Sequence, residues 1–469
     1  MTAEQSPASG TASSLDGRTF SFRVSRQAPL IPGDLVLLRV EGGGELLGQV
    51  LDLAPPVAGT PDGPLSGSGA VIGAVGPDAV PHRAGRRPFS EASIEPASVP
   101  LLQGLQRSAG AYLPIGTWLS AGIEAPARLR AQGFNRHTFL CGQSGSGKTY
   151  ALGVILEQLL VGTELRMVVL DPNADFVRLG EIRPDAPVER RERLGQTEVR
   201  VLRSSAAGGE PLRMRFASMP RPAQAAVLQL DPLADRSEYN LFLHMMEDLS
   251  ARNLGELVRS LGEGGPDSRA LAQRIENLGI SAWEIWAFDQ ASAAEVVESG
   301  ARATVMDLGG FVDPLEPLAA SLDLLEHLWA HRERRTPTLI VIDEAHNLCP
   351  AEPSGPLQAA VTERLVQIAA EGRKFGLWLL LSTQRPSKLH PQVISQCDNL
   401  ALMRMNSRGD LAELTQVFGF APPAMLAASR TFAQGEVLVA GGFVPVPGFI
   451  RMGSRLTFEG GSDVSVPVR

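Results

Sequence analysis

Between residues 20 and 99 the chain runs in short apolar stretches, such as Leu35-Val36-Leu37-Leu38-Arg39-Val40 and Leu46-Leu47-Gly48-Gln49-Val50-Leu51. Turn sequences separate them, among them Ile31-Pro32-Gly33-Asp34 and Glu41-Gly42-Gly43-Gly44. Regular strand-and-turn spacing predicts a small β-barrel. The glycine- and proline-rich stretch 55–69 is expected as a loop within it. Ahead of the barrel, residues 1–14 are rich in Ser, Ala, Thr and Gly and read as a disordered tail.

After residue 101 the pattern changes to apolar strands at 166–171, 304–308, 338–343, 377–383 and 400–405, alternating with helical periodicity. That alternation implies an α/β fold built on a parallel sheet. Between 220 and 300 helical pattern dominates (223–228, 238–249, 253–261 and 268–278), predicting a helical insertion. Residues 435–452 return to short strands, and no internal repeat is evident. The expected organisation is a tail at 1–15, a barrel for assembly or docking at 16–115, and an α/β domain at 116–469. That last domain carries the insertion at about 220–300 and a short C-terminal β extension.

A chain of 469 residues with 44% hydrophobic content fits a soluble protein of two or three domains. Its longest apolar runs, such as 377–381, fall far short of a spanning helix, and residues 1–15 lack a secretory core, so no membrane association and a cytoplasmic location are expected. Cys141, Cys349 and Cys397 show neither metal-ligand spacing nor a disulfide framework. A net charge of −8 argues against a surface coated for nonspecific nucleic-acid binding. It leaves room for DNA in the pore of a ring, where a few arginines per subunit are multiplied. Arg213, Arg215 and Arg221 are candidates for such a lining, and ordinary surface solvation explains them equally well.

The densest chemical signal is Gly142-Gln143-Ser144-Gly145-Ser146-Gly147-Lys148-Thr149, placed between the apolar run 138–141 and the helical pattern 151–160. A strand that turns into a helix through such a loop is a nucleotide phosphate loop. The glycines let successive N–H groups point inward, the helix N-terminus adds partial positive charge, and the lysine reaches the outer phosphates. The Thr149 hydroxyl is then placed for Mg²⁺. Only three of the 43 basic residues are lysines, Lys148, Lys374 and Lys388, so a lysine kept in this loop is informative.

A phosphate loop needs a carboxylate at the end of a buried strand, and Leu339-Ile340-Val341-Ile342-Asp343-Glu344 supplies two. Asp343 is the expected Mg²⁺-shell ligand and Glu344 the base for the attacking water. An apolar run that ends in two acids is unfavourable unless they open into a polar site. The strand 377–381 runs into Ser382-Thr383-Gln384-Arg385-Pro386 and brings Gln384 to the same edge, where it is a candidate to orient water or sense the γ-phosphate. Asp171 and Asp175 follow another strand end. His346, next to the acids, reads as a structural hydrogen-bonding residue, since no second ligand lies at helical spacing.

Four blocks together resemble the HerA-type ATPases of the HerA and FtsK superfamily: Asn135-Arg136-His137 with the phosphate loop, residues 171–176, Asp343-Glu344-Ala345-His346-Asn347, and residues 371–376 with 382–387. The resemblance implies a RecA-like P-loop NTPase core with a helical insertion and an N-terminal barrel. It further implies a homo-hexameric, ATP- and Mg²⁺-dependent translocase or helicase on double-stranded DNA, with a nuclease or other effector docking on the barrel. By the same resemblance Arg373 is the candidate arginine finger acting across a subunit interface, with Arg136 and Arg385 as alternatives. Residues 173–176 are looser than the family's His-Gly-Glu-Tyr, and the C-terminal extension is short. Two other readings stay open: a ring scaffold that assembles and activates an effector in antiviral defence, and a conjugation or secretion motor.

Overall fold

In the computed structural model, which describes residues 10–56, 63–76, 78, 80–82, 87–120, 123–248 and 254–461, the chain forms two units. The first comprises residues 1–134, 140–158 and 398–454, the second 135–139, 159–397 and 455–469.

The first unit begins with strands β1 (Gly10–Ser14), β2 (Thr19–Val24), β3 (Leu35–Val40), β4 (Glu45–Ala54), β5 (Leu65–Val75), β6 (Pro81–His82) and β7 (Phe89–Pro96). They pair in the order β2-β1-β7-β3-β4-β5-β6, and an additional β2–β5 ladder closes a six-stranded barrel with β6 outside the closure. Alternation is clearest in β2, where Phe20, Phe22 and Val24 are buried and Thr19, Ser21 and Arg23 are exposed. Those three join Val36, Leu38, Val50 and Ile94 in the barrel core.

Two expectations for this region change. The tail expected to be disordered supplies β1, which pairs with both β2 and β7, while residues 1–9 lie outside the described residues. Small side chains, a sign of disorder in sequence, are what the wall accepts here, because a Cβ on Gly10 would overlap Val24. The loop expected over 55–69 is shorter, since β5 begins at Leu65 and residues 57–62 lie outside the described residues. Gly67 and Gly69 are strand positions whose missing side chains make room for the rings of Phe22 and Phe20.

The helix Val99–Ser108 follows the barrel, and its Gln106 donates to Pro126 O (2.9 Å) and accepts from Arg128 N (2.8 Å). The same unit contains an antiparallel array in the order Cys397–Leu402, Glu436–Gly441, Gly448–Met452, Leu113–Ser120, Ile123–Leu129. The expected boundary at 115/116 therefore falls inside a strand. The C-terminal segment is an interior part of this array, because Leu438 pairs with Leu402 on one side and Phe449 on the other.

The second unit is a parallel sheet in the order Glu210–Pro211, Val199–Arg203, Ala303–Asp307, Arg166–Asp171, Thr338–Ile342, Leu377–Thr383. Ala303–Asp307 and Thr338–Ile342 are buried at every position, the signature of strands covered on both faces. The expected strand 166–171 and strand 377–383 are found with those bounds. Helices Arg221–Val227, Arg236–Asp248, Leu254–Gly262, Pro266–Asn277 and Ala293–Glu298 occupy the predicted insertion. Among the described residues, no helix is long and apolar enough to cross a membrane.

Candidate active site

The strand His137–Cys141 is buried throughout and leads through residues 142–147 into the helix Lys148–Gly162. Gly145 (φ 72°) and Gly147 (φ 93°) take the left-handed conformations that the loop's curl requires. At Gly142 an added Cβ would lie 2.7 Å from both Met403 Cβ and Ser146 Oγ, so the loop has no room for a side chain there. The loop is tied down from behind: Gln143 N donates to Arg404 O (2.9 Å), Ser146 N to Gln143 O (3.1 Å) and Gly435 N to Ser146 O (3.0 Å).

This cradle fits a phosphate chain. Ser146 is fully buried, and its hydroxyl has no partner among the described residues. Lys148 is 5% exposed in the first turn of its helix, where the partial positive charge of the N-terminus adds to its own. Thr149 is next in that turn, and Ser144 is exposed at the loop's tip. Sequence reasoning missed Arg404, which donates from Nη2 to Gly145 O (3.4 Å) and whose buried Nε has no acceptor among the described residues. The signal was present in Met403-Arg404-Met405, a lone cation closing a buried strand.

In the second unit, Asp343 (1% exposed) and Glu344 (6%) follow the strand Thr338–Ile342. Glu344 adopts φ 45° and ψ 48°, a left-handed conformation uncommon for a residue that carries a Cβ. Gln384, just past the strand Leu377–Thr383, donates from Nε2 to Glu344 Oε1 (2.7 Å). Its backbone N–H lies 3.4 Å from Oε2. His346 Nδ1 lies 3.4 Å from Glu344 Oε2 and 2.9 Å from Thr383 Oγ1, and Thr383 Oγ1 accepts from Arg385 N (3.0 Å). The structure brings Gln384 and Glu344 into direct contact, a pairing the sequence did not specify, and places His346 within hydrogen-bonding range of Thr383 beside them. Thr383, which sequence reasoning left without a role, ties the two strand ends together.

Asp171 ends the neighbouring strand and accepts from the N–H groups of Asn173 (3.3 Å), Asp175 (3.1 Å) and Phe176 (2.8 Å). It therefore shapes the loop 173–176, in which Ala174 has φ 59°. Burial pushes its carboxyl up to about 7 against the N–H groups of Phe176 and Asp175, with the charges of Asp175 and Asp343 raising it further.

The arginines divide by sheet edge. Arg373 is exposed in the turn Gly372–Phe375, before the strand Leu377–Thr383, and Arg136 is exposed just before His137, bonded to Asn135 O (3.0 Å). Both act on His137, whose Nδ1 accepts from Leu379 N (2.9 Å) and which burial, then Arg373, then Arg136 hold down at about 4. Arg373 thus lies at the amino end of the strand whose carboxyl end leads to Gln384, a full strand length from Glu344 of its own subunit. Arg385 is exposed beside Gln384, at the carboxyl edge. The pore candidates are engaged in the fold: Arg215 pairs with Glu295 (3.1 Å) and donates to Phe288 O and Gln290 O (2.7 Å each), and Arg221 donates to Leu243 O (2.7 Å). Arg213 donates to Ser205 Oγ (3.1 Å).

Residues 113–314 match the model of the helicase HerA central domain. Over that stretch the chain is similar to the HerA-type ATPases. It is 23% identical over 362 residues to the DNA double-strand break repair helicase HerA of Sulfurisphaera tokodaii, covering 73% of this chain and 70% of that one. The probable HerA of Methanocaldococcus jannaschii is 27% identical over 130 residues, a match spanning 28% of this chain and 25% of the relative. In fold, the chain is similar to the bacterial conjugative coupling protein TrwBΔN70, with a TM-score of 0.50, 14% identity and coverage of 76% of this chain and 95% of that one.

Proposed function

We propose that the chain is an ATP-driven translocase on double-stranded DNA that works as a homo-hexameric ring. The observation that carries this reading is the gripped Glu344, a carboxylate fixed by Gln384 at the carboxyl edge of a parallel sheet, in a chain that also holds a phosphate loop. Residues 142–149 would hold the phosphates of ATP, with the Thr149 hydroxyl a ligand of its Mg²⁺. The bound nucleotide supplies a phosphoanhydride and its Mg²⁺ the charge that neutralises it. Gln384 and His346 leave Glu344 one orientation, in which its carboxylate takes a proton from water.

Arg373 contributes from a neighbouring subunit, because its place at the amino edge puts it far from the base of its own chain. A guanidinium supplied in trans makes hydrolysis depend on assembly. Duplex DNA is the substrate that the relatives' names indicate. The barrel, closed on itself and free of the nucleotide-binding motifs, is the docking module for a nuclease or other effector.

Hydrolysis measured with and without long duplex DNA, together with displacement of a roadblock on that duplex, tests the motor. Stimulation by duplex, displacement that needs ATP, and affinity that falls as salt rises are expected. ATPase activity indifferent to duplex, in a ring that still activates a co-expressed effector carrying Glu344→Gln subunits, would replace the motor with the scaffold of an antiviral complex.

A further inference from the structure

The amino ends of the second unit's strands carry a side-chain cluster that nucleotide chemistry does not use. His327 lies in the helix Leu315–Ala330, His331 is the residue that caps its C-terminus, and Glu298 ends the helix Ala293–Glu298. One ligand atom from each of the three lies within 4.8 Å of the others. The cluster lines a cavity of about 160 Å³ whose other walls include Arg166, Thr304, Thr338 and Leu377, from the starts of four strands.

The imidazoles are set up as ligands. His331 Nδ1 lies 2.9 Å from His327 O, and since a carbonyl only accepts, Nδ1 is the donor there and Nε2 is the ring atom left to face an ion. Anchoring one ring nitrogen on a backbone carbonyl is the arrangement that fixes metal-binding histidines. The two ring centroids are 4.3 Å apart, close enough for both imidazoles to face one ion. Neutral imidazole is the form a metal needs.

His327 Nε2 lies 3.1 Å from Glu298 Oε1, and Arg334 donates to the same oxygen (2.6 Å), so neither contact uses Oε2. The helix Leu315–Ala330 also ends here, and the unsatisfied carbonyls of a helix C-terminus favour a cation.

We propose that His327, His331 and Glu298 bind a divalent transition ion, zinc in the first place, which pins the ends of their two helices together. Two imidazoles with one carboxylate suit zinc, cobalt or nickel and not magnesium, which prefers an all-oxygen shell. Three protein ligands leave a fourth position for water on the cavity side. The site is separate from the nucleotide residues: it lies at the amino ends of these strands, while Glu344 and Gln384 follow the carboxyl ends of theirs.

The test uses the tag-free full-length chain after chelator treatment, titrated with ZnCl₂ by calorimetry and with CoCl₂ by visible absorption. All three cysteines are buried, which removes thiolate competition. One equivalent of metal per chain is expected, with His327→Gln, His331→Gln and Glu298→Gln each weakening binding by about 10-fold or more. Zinc should raise the melting temperature of the unaltered chain and not of the variants. His390→Gln should bind as the unaltered chain does. If His327→Gln fails to fold, His331→Gln, which is only half-buried, decides alone. No saturable binding, or unchanged affinity in the His331 variant, overturns the proposal.

Discussion

Gln384 donates from Nε2 to Glu344 Oε1 across 2.7 Å while its backbone N–H faces Oε2 of the same carboxylate. The grip crosses from one strand end to the next, so the position of the base depends on both strands keeping their register. Glu344→Gln should bind nucleotide normally and lose turnover, since an amide keeps the shape and cannot take the proton. Gln384→Ala should lower turnover by on the order of 10- to 100-fold with little change in binding. In the double variant the losses should not add, because the grip has no purpose without the base. Phosphate release and nucleotide binding, measured separately, check all three.

Arg373→Ala should bind ATP and hydrolyse it more slowly by a factor on the order of 10³, the scale of an arginine supplied to a transferring phosphoryl group. Mixing Arg373→Ala with Glu344→Gln subunits distinguishes the geometry. Activity should partly return at interfaces that join an intact arginine to an intact base, and its absence from demonstrably mixed rings would assign Arg373 to the support of His137 instead.

Arg404 offers a buried Nε–H that lacks an acceptor within the described chain, beside Gly145. An anion at the loop would supply that acceptor. Arg404→Ala should therefore weaken nucleotide affinity by about 10-fold, and Arg404→Lys should recover only part of it, because an ammonium cannot reproduce the guanidinium's fixed fork. Equilibrium binding of a fluorescent nucleotide reads the difference.

His137 gives the fold a pH dependence with a definite sign. Its folded value of about 4 lies below the ordinary 6.5, so between these the unfolded chain holds the extra proton. The contribution of His137 to stability is therefore fully present above pH 6.5 and is lost as pH falls toward 4. Asp171 and Asp323, both pushed up to about 7 by burial, act oppositely: their contribution is present below the ordinary 3.8 and is lost as pH rises through 7. Denaturant midpoints between pH 4 and 7 should thus rise with pH more steeply in Asp323→Asn than in the unaltered chain.

Where local chemistry and tertiary placement coincide, the sequence was readable. The phosphate loop needs its glycines at fixed offsets, and the strand 338–342 is fully apolar up to Asp343, so both announce themselves. Strand β1 did not, because Gly10, Ala12 and Ser14 face inward and offer no hydrophobic alternation. Leu113–Ser120 was cut by an assumed boundary, since its partners, Gly448–Met452 among them, come from the far end of the chain. Thr383 was unreadable for a similar reason: its value lies in neighbours brought close only by folding.

The left-handed backbone of Glu344 sets folding against chemistry at one residue. Glycine enters that conformation without penalty and asparagine with little, whereas glutamate pays on the order of 1 kcal/mol. A sequence chosen for folding alone would not place glutamate there. Glu344→Gly and Glu344→Asn should accordingly yield chains that melt higher and hydrolyse nothing, so a screen of this protein that rewards thermal stability alone would enrich for inactive chains.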